Sequence, residues 1–285
     1  MQFGSIGLLH PGEMGAAVGA VLAEQNSVWW ASCGRSPATV RRSSAAGLTD
    51  VGSIEAIRDG CDLIISICPP AAARDVARQI SGFAGVYLDA NAISPATARE
   101  VAGLVQAGGA SYLDGGIIGG PPTAQSPGTR LYLSGPDGAR VAQLFSGTAV
   151  DARVLSDDLT AASALKMCFA AWTKGTTALL LNVRALADAL GETGALVAEW
   201  EGSQPDLDGR SLSAAQQAAT KGWRWQAEME EIARTFRDAG LPDGFHLGAA
   251  EIYGAVVRDE EAQRVQSTLD EVIESLRGRG GVGQS

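Results

Sequence analysis

The chain has 285 residues, 46% hydrophobic and 19% charged, enough for two ordinary domains and incompatible with a disordered chain. Its net charge of −10 argues against a nucleic-acid partner, because phosphate recognition needs clustered Lys and Arg.

Up to about residue 155, short apolar runs (3–9, 28–32, 63–68, 86–90, 111–114 and 130–134) alternate with helix-like stretches (15–24, 37–46, 54–58, 71–80 and 95–107). This alternation predicts repeated strand–helix units and hence an α/β fold, an N-terminal Rossmann domain with a mostly parallel sheet covered on both faces. From residue 159 the periodicity is helical, over about 158–190, 194–201, 211–239, 245–257 and 260–276, and nothing reads as a strand. Ser211 is placed to cap the third of these helices and Gly240-Leu241-Pro242 to end it. The expected organisation is a dinucleotide-binding domain over 1–157, an all-α substrate and dimerisation domain over 158–277, and a disordered glycine-rich tail over 278–285. No leader is expected, since Met1 runs almost at once into the glycine turn at Gly7. The apolar stretch 167–190 is broken by Lys174, Asn182, Arg184 and Asp188, too polar to span a bilayer. Cys33, Cys61, Cys68 and Cys168 show no metal-ligand spacing, and two histidines cannot build a metal site. Cys61, Cys68 and Cys168 read as buried, reduced thiols, so the expectation is a cytoplasmic protein without a metal.

The segment Gly7-Leu-Leu-His10-Pro11-Gly12-Glu13-Met14-Gly15 follows the first strand and opens a helix, the context a dinucleotide fingerprint requires. Gly12 lets the backbone approach a pyrophosphate, Gly15 lets helix and strand pack closely, and the helix N-terminus turns N–H groups toward the phosphates. Where GxGxxG has its first glycine this chain has His10, then Pro11; the alternative is an ordinary glycine-rich turn. NAD-specific folds place an acid at the end of the second strand. Here the loop after residue 32 reads Cys33-Gly34-Arg35-Ser36, without an acid. Arg35 suits clamping a 2′-phosphate and Ser36 suits donating a hydrogen bond to it, with Arg41 and Arg42 in reach if a helix starts near Pro37. NADP is the expected cofactor, with NAD the lesser alternative.

Further along stand Cys68-Pro69-Pro70, Asp89-Ala-Asn91-Ala-Ile-Ser94-Pro95, Asp114-Gly-Gly-Ile-Ile118-Gly119-Gly120-Pro121 and Ser163-Ala-Leu-Lys166-Met-Cys-Phe-Ala170. With the glycine loop, these segments resemble in order and spacing the β-hydroxyacid dehydrogenase and 6-phosphogluconate dehydrogenase superfamily, nearest a branch with a C-terminal domain of unknown function. The resemblance covers nearly the whole chain. It implies hydride exchange between NADP and a hydroxyl or carbonyl carbon of a small molecule, in a cleft between the domains of a homodimer. It also implies that Gly7, His10 to Gly15, Arg35, Ser36, Cys68, Pro69, Pro70 and Asn91 line the cofactor.

Lysine is scarce, at positions 166, 174 and 221 only, and Lys166 sits among Ala, Leu, Met and Phe inside a helix. A partly desolvated ammonium there has its proton affinity lowered toward neutrality, which suits a general acid/base; the alternative is a lysine snorkelling from a helix flank. Lys174, eight residues on, is a second cation for the substrate or a structural residue. Two positions depart from the family pattern: Ala170 replaces an asparagine four residues after the lysine, and Ile118 replaces a serine before the paired glycines. Their apolar character puts a small 3-hydroxy acid in doubt and favours a bulkier or uncharged carbonyl compound, or an imine. Gly119 and Gly120 can still offer N–H groups to an anion. Asn91, expected to be catalytic, and Ser94, expected to touch substrate, follow a strand end where such folds bind ligands; loop and helix capping is the alternative, with Pro95 at a first helical position. Trp225 and Glu228 share a helix face and line the substrate side or pack. The expected activity is that of an NADP-dependent dehydrogenase or reductase with a lysine acid/base. The alternatives are an imine reductase on the same scaffold, whose members usually replace the lysine, and a non-catalytic NADP-binding sensor or assembly protein.

Overall fold

The computed structural model describes residues 3–123, 128–257 and 265–278. The chain divides into two compact units, residues 1–167 and 168–285.

The first unit is built on one eight-stranded sheet. In chain order its elements are β1 (Ile6–Leu9), α1 (Glu13–Ala23), β2 (Val28–Trp30), α2 (Pro37–Ala45), β3 (Thr49–Asp50), α3 (Ile54–Gly60) and β4 (Leu63–Ser66). A 3₁₀ turn (Pro70–Ala72) then leads into α4 (Ala73–Gln79), β5 (Val86–Asp89), α5 (Pro95–Ala107), β6 (Ser111–Ile118), β7 (Thr129–Ser134), α6 (Gly138–Ala142) and β8 (Val150–Ser156). The spatial order is β3-β2-β1-β4-β5-β6-β7-β8. Neighbours are parallel except β6 and β7.

The central strands are mostly apolar because the sheet is covered on both faces. Alternate residues feed opposite cores. Ile65, Leu88 and Leu113 lie in register on one side, and Ile64, Tyr87 and Tyr112 on the other. Helices start where the sequence supplies caps. Ser36 accepts from Thr39 N with Pro37 following, and Ser94 accepts from Thr97 N with Pro95 following. Strand order reverses on either side of β1, so a ligand crevice is expected outside the C-terminal ends of β1 and β4.

Expectation and structure differ in several places here. β2 stops at Trp30 rather than Ser32; β6 runs on to Ile118; β3, α6 and β8 had no counterpart among the apolar runs. Cys168 is exposed, not buried, as is Cys33, and the four cysteines are free.

The second unit is helical. It contains the greater part of α7 (Ala161–Leu190), then α8 (Thr193–Ser203), α9 (Leu207–Asp238), α10 (Gly244–Ala255) and α11 (Val265–Gly278). The buried face of α9 is made of small residues, among them Ala215, Ala218, Ala219 and Gly222, followed by Met229, Ile232 and Ala233, and α10 and α11 pack on this helix. Because α9 begins at Leu207, Ser211 lies inside it and donates to Asp208 O at 2.7 Å instead of capping it. Gly240 (φ 73°) ends the chain's excursion after α9 as expected. The expected tail from Gly278 lies, beyond that residue, outside the described residues. Among the described residues no helix is long and apolar enough to cross a membrane.

Candidate active site

The site begins with the chain leaving β1. His10 adopts φ 61°, a left-handed conformation that costs a non-glycine residue about 1–2 kcal/mol. Gly12 N then donates to His10 O at 2.6 Å, and α1 starts at Glu13 with no side chain capping it. At Gly15 a Cβ would stand 3.2 Å from His10 O, so a larger residue there would press on this loop by a few tenths of an ångström. Gly12 is exposed, and a Cβ on it would meet nothing nearer than His10 O at 3.9 Å. An open glycine at an uncapped helix N-terminus fits a pyrophosphate.

Two arginines flank the loop. Arg35 donates from a guanidinium nitrogen to His10 Nε2 at 2.7 Å, and Arg42 donates to Pro11 O at 3.4 Å. Burial, and then the charge of Arg35, hold His10 down to about 4. Ser36 caps α2 and is exposed. The nearest acid after β2, Asp50, accepts from Ser32 N and Gly52 N at 3.1 and 2.9 Å. A hydrogen bond from the Ser32 side chain, and then those from Gly52 N and Ser32 N, hold it below the usual carboxylate range. The loop after β2 thus presents Arg35 and Ser36, while the Asp50 carboxylate is occupied by its hydrogen bonds.

A polar row crosses the sheet one step further on. Ser66 pairs in register with Asp89, Asp89 with Asp114, and Asp114 with Ser134, and all four are buried. Asn91 ties the first part of this row together. Its Oδ1 accepts from Cys68 N at 2.6 Å, its Nδ2 donates to Ser66 Oγ at 3.2 Å, and its N donates to Asp89 Oδ1 at 3.0 Å. Asn91 thereby fixes the Cys68-Pro69-Pro70 loop. Burial pushes the Cys68 thiol up to about 12, so it is no nucleophile. Burial also pushes Asp89 up to about 7, with the charge of Asp114 adding to it against the Asn91 hydrogen bonds.

Asp114 holds the start of α7. Ser163 Oγ donates to Asp114 Oδ1 at 2.6 Å, Ser163 N and Ser134 Oγ donate to Oδ2 at 2.7 and 3.2 Å, and Ala162 N donates to Ser134 Oγ at 2.9 Å. Burial outweighs these bonds and pushes Asp114 up to about 6. Gly116 explains how closely the helix approaches: a Cβ there would lie 2.7 Å from Ala162 O. One turn beyond Ser163, the half-buried Lys166 donates from Nζ to Ile117 O at 2.7 Å.

Residues 2–149 match the family model described as the NAD binding domain of 6-phosphogluconate dehydrogenase, and residues 187–256 match a domain of unknown function (DUF1932). The chain belongs to the 6-phosphogluconate dehydrogenase NAD-binding-domain family. No curated protein matches the sequence. Three solved structures share the fold of this family member. The Mycobacterium tuberculosis 3-hydroxyisobutyrate dehydrogenase with L-serine is 19% identical, with TM-score 0.69, covering 97% of this chain and 100% of that one. A protein of unknown function, described as structurally similar to 3-hydroxyacid dehydrogenases, is 24% identical with TM-score 0.65, covering 94% and 99%. The Aspergillus terreus reductive aminase in complex with NADPH4, cyclohexanone and allyl amine is 22% identical with TM-score 0.54, covering 93% and 98%.

In this family member the expected cofactor residues Gly7, His10 to Gly15, Arg35, Ser36, Cys68, Pro69, Pro70 and Asn91 all belong to the dinucleotide-binding unit, at or beside the ends of β1, β2, β4 and β5. Gly7 is the exception in role: a Cβ on it would meet Ile57 Cγ2 at 2.3 Å, so it seats α3 against β1. Ser94 is buried and its hydroxyl donates to Thr97 Oγ1 at 3.0 Å while capping α5. Ile118 is no loop residue; it pairs with Arg130 in the sheet and is buried. Gly119 and Gly120 follow it and are exposed. Asp89, Asp114 and Ser163 were passed over as functional groups. The signal for the two aspartates is a polar residue after a short apolar run; Ser163, inside α7, gives none.

The helical unit contains the remaining expected residues. Lys174 pairs with Glu228 at 2.5 Å, the side chains 13% and 12% exposed, and its Nζ lies 5.7 Å from the Trp225 ring. Trp225 meets Tyr253 edge-on at 5.2 Å, and Tyr253 Oη donates to Lys174 O at 2.7 Å. Ala170 is buried. Among the described residues, no group of three or more His, Cys, Asp or Glu is arranged to hold a metal.

Proposed function

We propose that this chain is an NADP-dependent oxidoreductase that reduces a small carbonyl compound or oxidises the matching alcohol, with Lys166 as general acid/base. One observation carries the reading. In the dinucleotide-binding unit, the Lys166 ammonium is fixed by a 2.7 Å hydrogen bond to Ile117 O at the end of β6. That backbone carbonyl fixes where the ammonium stands, and an ammonium carries protons to transfer.

Arg35, Ser36 and the Gly12–Gly15 turn would hold the cofactor, and bound NADPH supplies hydride. Lys166 Nζ gives its proton to the developing alkoxide oxygen in the reductive direction and takes the hydroxyl proton in the oxidative one. Asn91 acts by holding the Cys68-Pro69-Pro70 loop in place, and Ser94 by fixing α5. The apolar Ile118 and Ala170 favour a bulky or uncharged carbonyl compound. An imine is the second reading, favoured by those same residues and by the reductive aminase among the fold neighbours. In the helical unit, Lys174 and Trp225 pack with Glu228 and Tyr253, which supports a structural role for the second lysine. Four free cysteines support a reducing, cytoplasmic setting. A homodimer is supported by α7, whose Phe169, Trp172, Leu179, Leu186 and Leu190 are exposed at spacings that share one helix face.

The test is NADPH oxidation, followed by absorbance, against panels of aldehydes, keto acids and cyclic imines, with NADH run in parallel. Turnover on carbonyl compounds with NADPH preferred is expected. Tight cofactor binding with no turnover on any panel would instead favour a non-catalytic sensor.

A further inference from the structure

We infer that His10 is a positioning residue for cofactor choice: its imidazole holds the Arg35 guanidinium in place to receive a phosphomonoester on the cofactor's adenosine ribose. The inference rests on Arg35 being the 2′-phosphate contact proposed above. His10 stands at φ 61°, at the loop position where a dinucleotide fingerprint has glycine, so a residue with a Cβ is strained there. In exchange its ring reaches across to the loop after β2 and takes a 2.7 Å hydrogen bond from Arg35. A guanidinium can only donate. His10 Nε2 is therefore the acceptor, and the ring is neutral with its proton on Nδ1. Burial and the neighbouring guanidinium keep it neutral by holding it down to about 4.

The Arg35 main chain is fixed independently, since Arg35 N donates to Ser32 O at 3.0 Å. With its main chain tied to the turn and one guanidinium nitrogen tied to His10, Arg35 is pre-organised. Its remaining donors can serve a phosphate without the ordering cost a free surface arginine would carry. The glycine-loop residue thus reads the phosphate indirectly, through a side chain on another strand's loop.

The test is direct titration of NADPH and NADH binding by fluorescence in wild type, Arg35→Ala, His10→Gly and the double variant. His10→Gly relieves the backbone strain, so a folding defect does not obscure the result. Arg35→Ala is expected to abolish the NADPH preference. His10→Gly is expected to weaken NADPH about five- to tenfold, the order of one arginine's ordering cost, with NADH within twofold. The double variant is expected to match Arg35→Ala. Imidazole ¹⁵N spectra of wild type are expected to show His10 as the Nδ1–H tautomer, with the signal assigned by its loss in His10→Gly.

If Arg35→Ala abolishes the preference while His10→Gly keeps the wild-type ratio, or weakens both cofactors equally, the role of His10 is overturned and the 2′-phosphate reading stands. An Nε2–H tautomer overturns it too. If Arg35→Ala leaves the ratio unchanged, both fall together.

Discussion

Asp89 and Asp114 are buried carboxyls on neighbouring strands, paired in register, and each is pushed up from its ordinary value, to about 7 and about 6. Among the described residues Asp89 Oδ2 has no hydrogen-bond partner, and an unpartnered oxygen is far less costly on a protonated carboxyl than on a buried anion. A folded-state pKa raised above the unfolded value of 3.8 contributes stability that is complete below about pH 4 and is lost as pH rises through about 7. Stability of the wild type should therefore fall between pH 5 and 8 by this contribution. Asp89→Asn, which stays neutral, should fall by on the order of 1–2 kcal/mol less over the same range, read from urea midpoints. An identical pH dependence in the variant would mean that Asp89 is ionised in the fold throughout. Residue identity marks part of the candidate site. The sparse lysines and the glycine turn pointed to Lys166 and the cofactor loop, but nothing in the sequence reveals that His10 is left-handed or that its ring meets Arg35, 25 positions away. Such a contact depends on two loops from adjacent strands converging.

The start of α7 is the element that places Lys166. Asp114 and Ser134 accept three hydrogen bonds from its first turn, doing for this helix what a side-chain cap does elsewhere. Ser163→Ala keeps the backbone bond but removes the hydroxyl bond to Asp114, and should cost about 1–2 kcal/mol in chemical denaturation. Gly116→Ala should displace the helix, because its Cβ would fall 2.7 Å from Ala162 O. A loss of about 1–3 kcal/mol is expected, with turnover reduced more than cofactor affinity. Cofactor affinity lost in parallel with turnover would place the damage in the glycine loop. At this scale the sequence was read best where strands were continuous and apolar, and worst at the edges. β3 is two exposed residues. β8 exposes Val154 and Leu155 at 46% and 41%, and its Asp and Arg residues break any run. Gly115 and Gly116 sit inside β6, where glycine reads as a turn, although the close packing of Leu88 and α7 against them is what requires it.

For the whole molecule, the change from alternating strand and helix to helix alone told the architecture apart without any structure, because the two periodicities differ. Contacts between side chains from separate elements were less accessible, such as those that join Lys174, Trp225, Glu228 and Tyr253. The exposed face of α7 should be covered by a second copy. Light scattering of the eluting protein should show a dimer, and Trp172→Glu with Leu186→Glu should shift it to monomer at micromolar concentration. A wild type that stays monomeric at high concentration would leave that face without its partner.

The most direct measurement compares Lys166→Ala with wild type in two readouts, NADPH affinity and turnover of the best substrate from the panel, with and without added ethylamine. Loss of turnover by about 10²–10⁴, the usual contribution of a positioned acid/base, is expected with cofactor affinity unchanged and activity partly restored by the amine. Turnover within a few-fold of wild type, insensitive to ethylamine, would contradict a proton-transferring Lys166.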